Sequence, residues 1–144
     1  MLKFLLEIIT PQRAVFTQQV DDVTVPTSRG LVGVLAHHVP LFSALTEGEL
    51  KISDGGKELY LAIGGGFMEV TREKVSILVS RAFHAHELNE AEIKKAQQAA
   101  REALTRQVKG IELGNARAIL HRSVLELKVA RRHRSGYTPS PRIN

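Results

Sequence analysis

Two spacings of apolar residues divide the chain. Up to about Ser80, apolar and polar positions alternate and turn formers interrupt every several residues, the period of strands that bury one face and expose the other. Leu50 and Ile52 alternate with Glu49 and Lys51, the turn Asp54-Gly55-Gly56-Lys57 follows, and Leu59, Leu61 and Ile63 resume the alternation, which predicts a β-hairpin. Further short strands are predicted at 20–25, 31–35, 41–45, 67–70 and 75–79, each bounded by Pro, Gly or charged turns. This is the pattern of an all-antiparallel sheet, and so many short strands must close on one another as a sandwich or a barrel.

After Phe83 the period changes. Ala, Glu, Lys, Gln and Leu dominate and neither Gly nor Pro occurs until Gly110, so residues 89–109 are expected to be helical. Asn89 followed three residues later by Glu92 has the form of a capping box and marks the helix start. An inner stripe of Ala96, Ala99, Ala100, Ala103 and Leu104 would let a second helix approach closely. That second helix is predicted at 113–132 after a break at Gly110, with Leu113, Ala116, Leu120, Val124 and Leu127 as its seam. A hairpin of two helices with an Ala-rich seam buries little area, so it is expected to dock on something or to move. The division is therefore a β unit at 1–86, a helical hairpin at 87–134 and a disordered tail at 135–144 containing Gly136, Pro139 and Pro141.

At 144 residues, 43% hydrophobic and 24% charged, the chain is sized for one small domain or two units sharing a core. It has no cysteine, which excludes thiolate metal sites and thiol chemistry, and no apolar run approaches the roughly 20 residues that cross a bilayer. A soluble cytoplasmic product is the default expectation.

The net charge of +5 is not spread evenly. Through Gly110 there are 13 Lys and Arg against 13 Asp and Glu, whereas beyond it Arg117, Arg122, Lys128, Arg131, Arg132, Arg134 and Arg142 oppose only Glu112 and Glu126. The end carrying the second helix is thus expected to meet something acidic: a protein surface, phospholipid or nucleic acid. On that helix Arg117, His121, Lys128, Arg131 and Arg132 flank the apolar seam. It has no aromatic residue to stack on bases and no bulky anchor for a lipid surface, which favours an acidic protein groove.

Candidate chemistry adds little. Gly64-Gly65-Gly66 is not followed by Gly-Lys-Ser/Thr or a helix, so it reads as a bulge or close backbone approach rather than a phosphate loop. His37-His38 and His84-Ala85-His86 lack the carboxylates or cysteines of a recognised metal site. No serine stands in a nucleophile-elbow context. No catalytic residue, metal or cofactor is expected.

The run Gly33-Val34-Leu35-Ala36-His37-His38-Val39-Pro40-Leu41, then Leu45, Gly48 and Leu50-Lys51-Ile52, then Ile63-Gly64-Gly65-Gly66-Phe67-Met68-Glu69-Val70 and Val75-Ser76-Ile77-Leu78, resembles the epsilon subunit family of F-type ATP synthases over roughly residues 2–134. The resemblance implies an N-terminal antiparallel β-sandwich at the foot of a rotor, touching the gamma subunit and the c-ring, followed by a mobile two-helix hairpin. It implies a non-catalytic subunit of a proton-translocating complex, peripheral on the cytoplasmic face of a bacterial plasma membrane. The loop residues Ala36, His37, His38, Val39, Pro40 and Leu41 correspond to the segment near the c-ring and gamma, and Pro40 would stiffen it. In the family the second helix can extend along gamma into the catalytic head and oppose hydrolysis by facing an acidic segment of the beta subunit. Arg117, Arg122, Lys128, Arg131 and Arg132 would take that role here. A free-standing adaptor whose basic helix binds nucleic acid is the alternative from another class.

One departure stands out. Some bacterial members bind ATP at the start of the first helix through Leu-Asp-x-x-Arg-Ala, and here the matching residues are Leu88-Asn89-Glu90-Ala91-Glu92-Ile93. Asn89 replaces the Asp, Glu92 the Arg and Ile93 the Ala, so an anion stands where a cation would meet phosphate, and weak or no ATP binding is expected.

Overall fold

The computed structural model describes residues 2–134 and consists of a β-sandwich with a helical hairpin against it. The strands are β1 (Phe4–Ile9), β2 (Ala14–Val20), β3 (Asp22–Thr27), β4 (Gly30–Leu35), β5 (Leu41–Leu45), β6 (Gly48–Asp54), β7 (Lys57–Ile63), β8 (Gly66–Val70), β9 (Lys74–Val79) and β10 (Ala82–His84). A 3-10 turn (Ala85–Glu87) leads into α1 (Glu90–Thr105) and α2 (Ile111–Arg134). One sheet has the order β2-β1-β9-β8-β5 and the other β10-β7-β6-β3-β4. The tail expected at 135–144 lies outside the described residues.

The alternation expected for strands is what builds the core. Leu6 and Ile8 of β1, Val23 and Val25 of β3, Leu50 and Ile52 of β6, Leu61 and Ile63 of β7, and Ile77 of β9 are all fully buried between the sheets. Each such side chain contributes about 1.5–3 kcal/mol by leaving water. The predicted hairpin is β6–β7, in register from Gly48↔Ile63 to Asp54↔Lys57, with Gly55 and Gly56 in the turn at φ 59° and 83°. Gly64 and Gly66 mark close backbone approach. A Cβ on Gly66 would overlap the Leu78 carbonyl and stand 2.7 Å from Val79 Cα, and one on Gly64 would overlap the Ser80 hydroxyl.

Four expectations need correction. The run 20–25 is not one strand: β2 ends at Val20 and β3 begins at Asp22, because the chain passes from one sheet to the other at Asp21. The sheets are not wholly antiparallel, since β1 lies parallel to β9 from Leu5↔Lys74 to Ile9↔Leu78. That pairing joins strands some seventy residues apart, and local alternation carries no information about it.

The first helix stops at Thr105 rather than continuing to Lys109. Gln107 takes a left-handed conformation (φ 57°), its N–H donates to Leu104 O at 3.1 Å, and Val108 folds back against the buried Ala100, Ala103 and Ala116. This is a left-handed helix end with its usual apolar contact, made without glycine.

The helix seams are also displaced. On α1 the buried residues are Ala100 and Ala103, while Ala96 and Ala99 face solvent. On α2 Ala116, Ser123, Leu127 and Ala130 are buried and Val124 is 64% exposed. The seam steps from Leu120 to Ser123 instead of Val124, because the serine hydroxyl donates to Leu120 O at 2.8 Å and so can be buried without loss. Its small side chain also preserves the close approach to α1.

Candidate functional site

Asn89 ends the 3-10 connection and starts α1 as the capping-box spacing predicts, its Oδ1 accepting from the N–H groups of Ala91 (3.0 Å) and Glu92 (3.2 Å). The amides that could otherwise hold a phosphate are therefore already partnered. Glu87 and Glu90 line the shallow opening beside Asn89, and Glu92 is exposed on the helix. Burial pushes the Glu87 carboxyl up, but the His84 backbone N–H and the Arg13 guanidinium outweigh it and hold it below the ordinary value. Ile93 is half-buried and supplies no polar contact for a nucleotide.

The loop 36–40 links β4 to β5 and so crosses from one sheet to the other. The His38 N–H donates to Leu35 O at 3.2 Å, forcing a tight turn in which His37 adopts φ 64°. His38 Nδ1 lies 2.8 Å from Val39 O, so its half-buried ring is held locally. Val39 is 70% exposed, with Leu35 and Phe42 exposed to either side of the loop. His37, His38, Pro40, Arg72 and Lys74 rim a groove of about 580 Å³ floored by Phe4 and Val75. The loop thus combines exposed apolar surface and a fixed proline, with the cations Arg72 and Lys74 beside it. Leu41 begins β5 opposite Val70 and is half-buried against the core, which anchors one end of the loop.

The basic face of α2 is turned toward the chain's own carboxylates. Arg132 donates from Nη2 to Glu49 Oε1 at 3.0 Å and from Nε to Glu49 Oε2 at 3.3 Å, and its guanidinium lies 4.5 Å from the centroid of the Tyr60 ring. Lys128 Nζ is 4.0 Å from Glu49 Oε1. Arg122 Nε and His121 Nε2 lie 3.9 and 3.6 Å from Glu47, which also pairs with Arg81. Arg131 Nε is 3.4 Å from Glu90 of α1.

Three of the five cations singled out from the sequence, Arg122, Lys128 and Arg132, thus meet carboxylates of the sandwich, Arg131 pairs within the hairpin, and Arg117 is exposed and has no ion pair among the described residues. The hydrogen bonds to Glu49 hold the Arg132 guanidinium still more firmly protonated. Burial pushes the Glu126 carboxyl above its ordinary value, Arg81 and Arg122 oppose the shift, and Glu47 adds to it.

Sequence reasoning missed Glu47, Glu49, Tyr60 and Glu90. Their signal was present: Glu47-Gly48-Glu49 is an acidic pair at the start of a strand, in a chain whose other end carries the entire positive excess.

Among the described residues there is no group of three or more His, Asp or Glu that could hold a metal ion. His84 and His86 stack on each other at 5.3 Å, and His84 Nε2 lies 3.2 Å from Val15 O, so this pair ties β10 to β2. No helix among the described residues is long and apolar enough to cross a membrane.

Comparison with known proteins identifies relatives of both parts of the chain. Residues 3–85 match the family described as ATP synthase, Delta/Epsilon chain, beta-sandwich domain. The chain is 34% identical over 125 residues to the ATP synthase epsilon chain of Desulforamulus reducens, spanning 87% of this chain and 95% of that one. It is 37% identical over 135 residues to that of Dehalococcoides mccartyi, spanning 93% and 96%. A chain of the Euglena gracilis mitochondrial ATP synthase, solved as OSCP/F1/c-ring, shares the fold with a TM-score of 0.65 at 24% identity, covering 92% of this chain and 80% of that one.

Proposed function

This chain belongs to the ATP synthase epsilon-chain family, a non-catalytic stalk subunit of the complex, and from that premise we propose that it is a rotor subunit linking a c-ring to the catalytic head. The observation that carries this reading is the match to epsilon chains across the sandwich and the hairpin together, over 93% of this chain in one relative. A chain of the Tetrahymena thermophila mitochondrial ATP synthase, solved as central stalk/c-ring, has a TM-score of 0.58 over 90% of this chain, in keeping with that placement.

In this proposal the 36–41 loop meets the c-ring and the gamma subunit. Its exposed Val39, left-handed His37 and rigid Pro40 suit a surface that transmits torque rather than one that turns over a substrate. The complex moves protons, and the chain is peripheral to a bacterial plasma membrane on the cytoplasmic side, held there through its partners.

The helical hairpin is the regulatory element of the proposal. In a released state α2 presents Arg117, Arg122, Lys128, Arg131 and Arg132 to an acidic segment of the beta subunit and opposes hydrolysis. Individual exposed ion pairs contribute about 0–1 kcal/mol, so several must act together with reburial of the apolar seam against gamma. Nucleotide does not set the balance here, because Asn89 already satisfies the first amides of α1 and Glu87, Glu90 and Glu92 surround the place a phosphate would take.

The test is ATP hydrolysis by the cognate catalytic head with the chain added back intact or truncated after Glu87. Inhibition by the intact chain, with binding but no inhibition by the truncated one, supports the whole reading. Binding by both without inhibition removes the brake, and binding by neither removes the rotor role.

A further inference from the structure

On α2, Ala116 and Leu120 pack on α1 in a cluster of small side chains with Ala100 and Ala103, while Leu127, Val129 and Ala130 are buried further along the helix. Beyond α1, α2 meets the 3-10 turn, β7 and β6. The charged contacts to the sandwich run along α2 from His121 to Arg132. Two acidic side chains at and just before the start of β6 collect three cations and an imidazole of α2: Glu47 faces Arg122 and His121, and Glu49 faces Arg132 and Lys128.

We propose that Glu47 and Glu49 are an internal decoy for the basic face of α2, holding the hairpin docked by occupying the cations that α2 would otherwise offer to an acidic partner. The proposal rests on the rotor reading for the identity of that partner, but the decoy itself is a property of this chain. The exclusion follows from geometry. Arg132 places Nε and Nη2 on the two oxygens of Glu49 and its face on Tyr60, and all of these contacts are given up if α2 moves away from the sandwich to reach another acidic surface. Docking and engagement therefore compete for one set of groups, and the equilibrium moves only by the difference between the two acidic surfaces. Glu126 of α2, Arg81 beside Glu47 and Glu58 near Arg132 add to the charges around this contact, and Arg81 keeps Glu47 from being a bare anion when the hairpin leaves.

The absence of cysteine allows a direct test on the full chain. Lys57→Cys in the exposed β6–β7 turn and Lys109→Cys between the helices take a donor and acceptor dye, and single-molecule energy transfer counts docked and released hairpins. Replacing Glu47 and Glu49 together by Gln is expected to lower the docked-to-released ratio by about tenfold or more, since several charge-assisted contacts are lost at once. Raising salt is expected to lower the ratio in the parent and to do much less in the double variant. Arg122→Gln with Arg132→Gln removes the two arginine pairs from the helix side and leaves Lys128 and His121, and amide exchange in β1, β8 and β9 checks that the sandwich stays folded in each case.

Equal ratios in the parent and in both double variants overturn the decoy, whatever the chain does in the complex. Failure of the parent chain to bind the catalytic complex overturns the rotor reading and leaves the energy-transfer comparison standing. With both ideas correct, the Glu47→Gln/Glu49→Gln chain binds as the parent does and inhibits hydrolysis more strongly at equal occupancy.

Discussion

The Arg132 guanidinium lies 4.5 Å from the Tyr60 ring centroid while its Nη2 donates to Glu49 Oε1 at 3.0 Å, so one side chain near the end of α2 is gripped by two neighbouring strands. The grip has a sequence origin. In the β6–β7 ladder Tyr60 stands opposite Lys51, and Glu49 lies two residues along β6 on the same outward face. Replacing Arg132 by Ala is expected to weaken hairpin docking by about 1–2 kcal/mol, with Lys recovering only part because it loses the planar fork. Faster amide exchange in α2, with unchanged exchange in β8 and β9, would be the signature.

Gly66 cannot carry a side chain, because a Cβ would run into the backbone of Leu78 and Val79 rather than into a movable side chain. Gly66→Ala is expected to cost about 3 kcal/mol, the upper end for overpacking, since a strand must shift to relieve it. Denaturant unfolding of the full chain measures this, and a loss below about 0.5 kcal/mol would show that β8 and β9 part easily.

The loop at His37 and His38 separates fold from contact. His37 sits at φ 64°, a conformation that glycine adopts without cost, so His37→Gly is expected to leave stability within about 1 kcal/mol of the parent. His37→Val is expected to lose about 1–2 kcal/mol from the same backbone strain. His38→Ala removes a ring that bonds only to the adjacent Val39 O, and is expected to keep the fold while lowering proton pumping per ATP hydrolysed in the reconstituted complex. Unchanged coupling in that variant would take the c-ring contact away from His38.

Two glutamates give opposite pH dependences. Glu126 is raised above its ordinary value of 4.5 in the folded chain, chiefly by burial, so its contribution favours the folded state at low pH and is lost as pH rises through its folded value. Glu87 is lowered, its burial outweighed by the His84 N–H and Arg13, so its contribution is present above 4.5 and lost as pH falls through its folded value. Glu126→Gln is therefore expected to raise stability near neutral pH by up to about 0.5 kcal/mol and to flatten its pH dependence just above 4.5. Glu87→Gln is expected to lower neutral stability and to flatten the acid limb. Thermal melts across this range check both, and a Glu126→Gln chain less stable than the parent at neutral pH would mean that Arg81 and Arg122 dominate over burial.

The family resemblance could be read from contiguous motifs such as the 33–41 run, because the residues that make it are close together along the chain. The hairpin β6–β7 and the cap at Asn89 were legible for the same reason. The seam of α2 was not, because polarity argued for Val124 and against Ser123, and only the hydroxyl's bond to Leu120 O makes burial of the serine tolerable. The partners of Arg132, Lys128 and Arg122 were out of reach as well, since Glu47 and Glu49 are some seventy to eighty residues away.

Periodicity, capping spacing and the placement of charge, all of which act between neighbours, determined by themselves that this chain is a β unit, sandwich or barrel, followed by a basic helical hairpin. Tertiary structure alone decided that β1 runs parallel to β9, that α1 stops at Thr105, and that Arg122, Lys128 and Arg132 of α2 lie on Glu47 and Glu49. The reason is common to all three: each depends on which distant surfaces the folded core brings together, and long-range contact is set by the packing of whole layers rather than by any local preference.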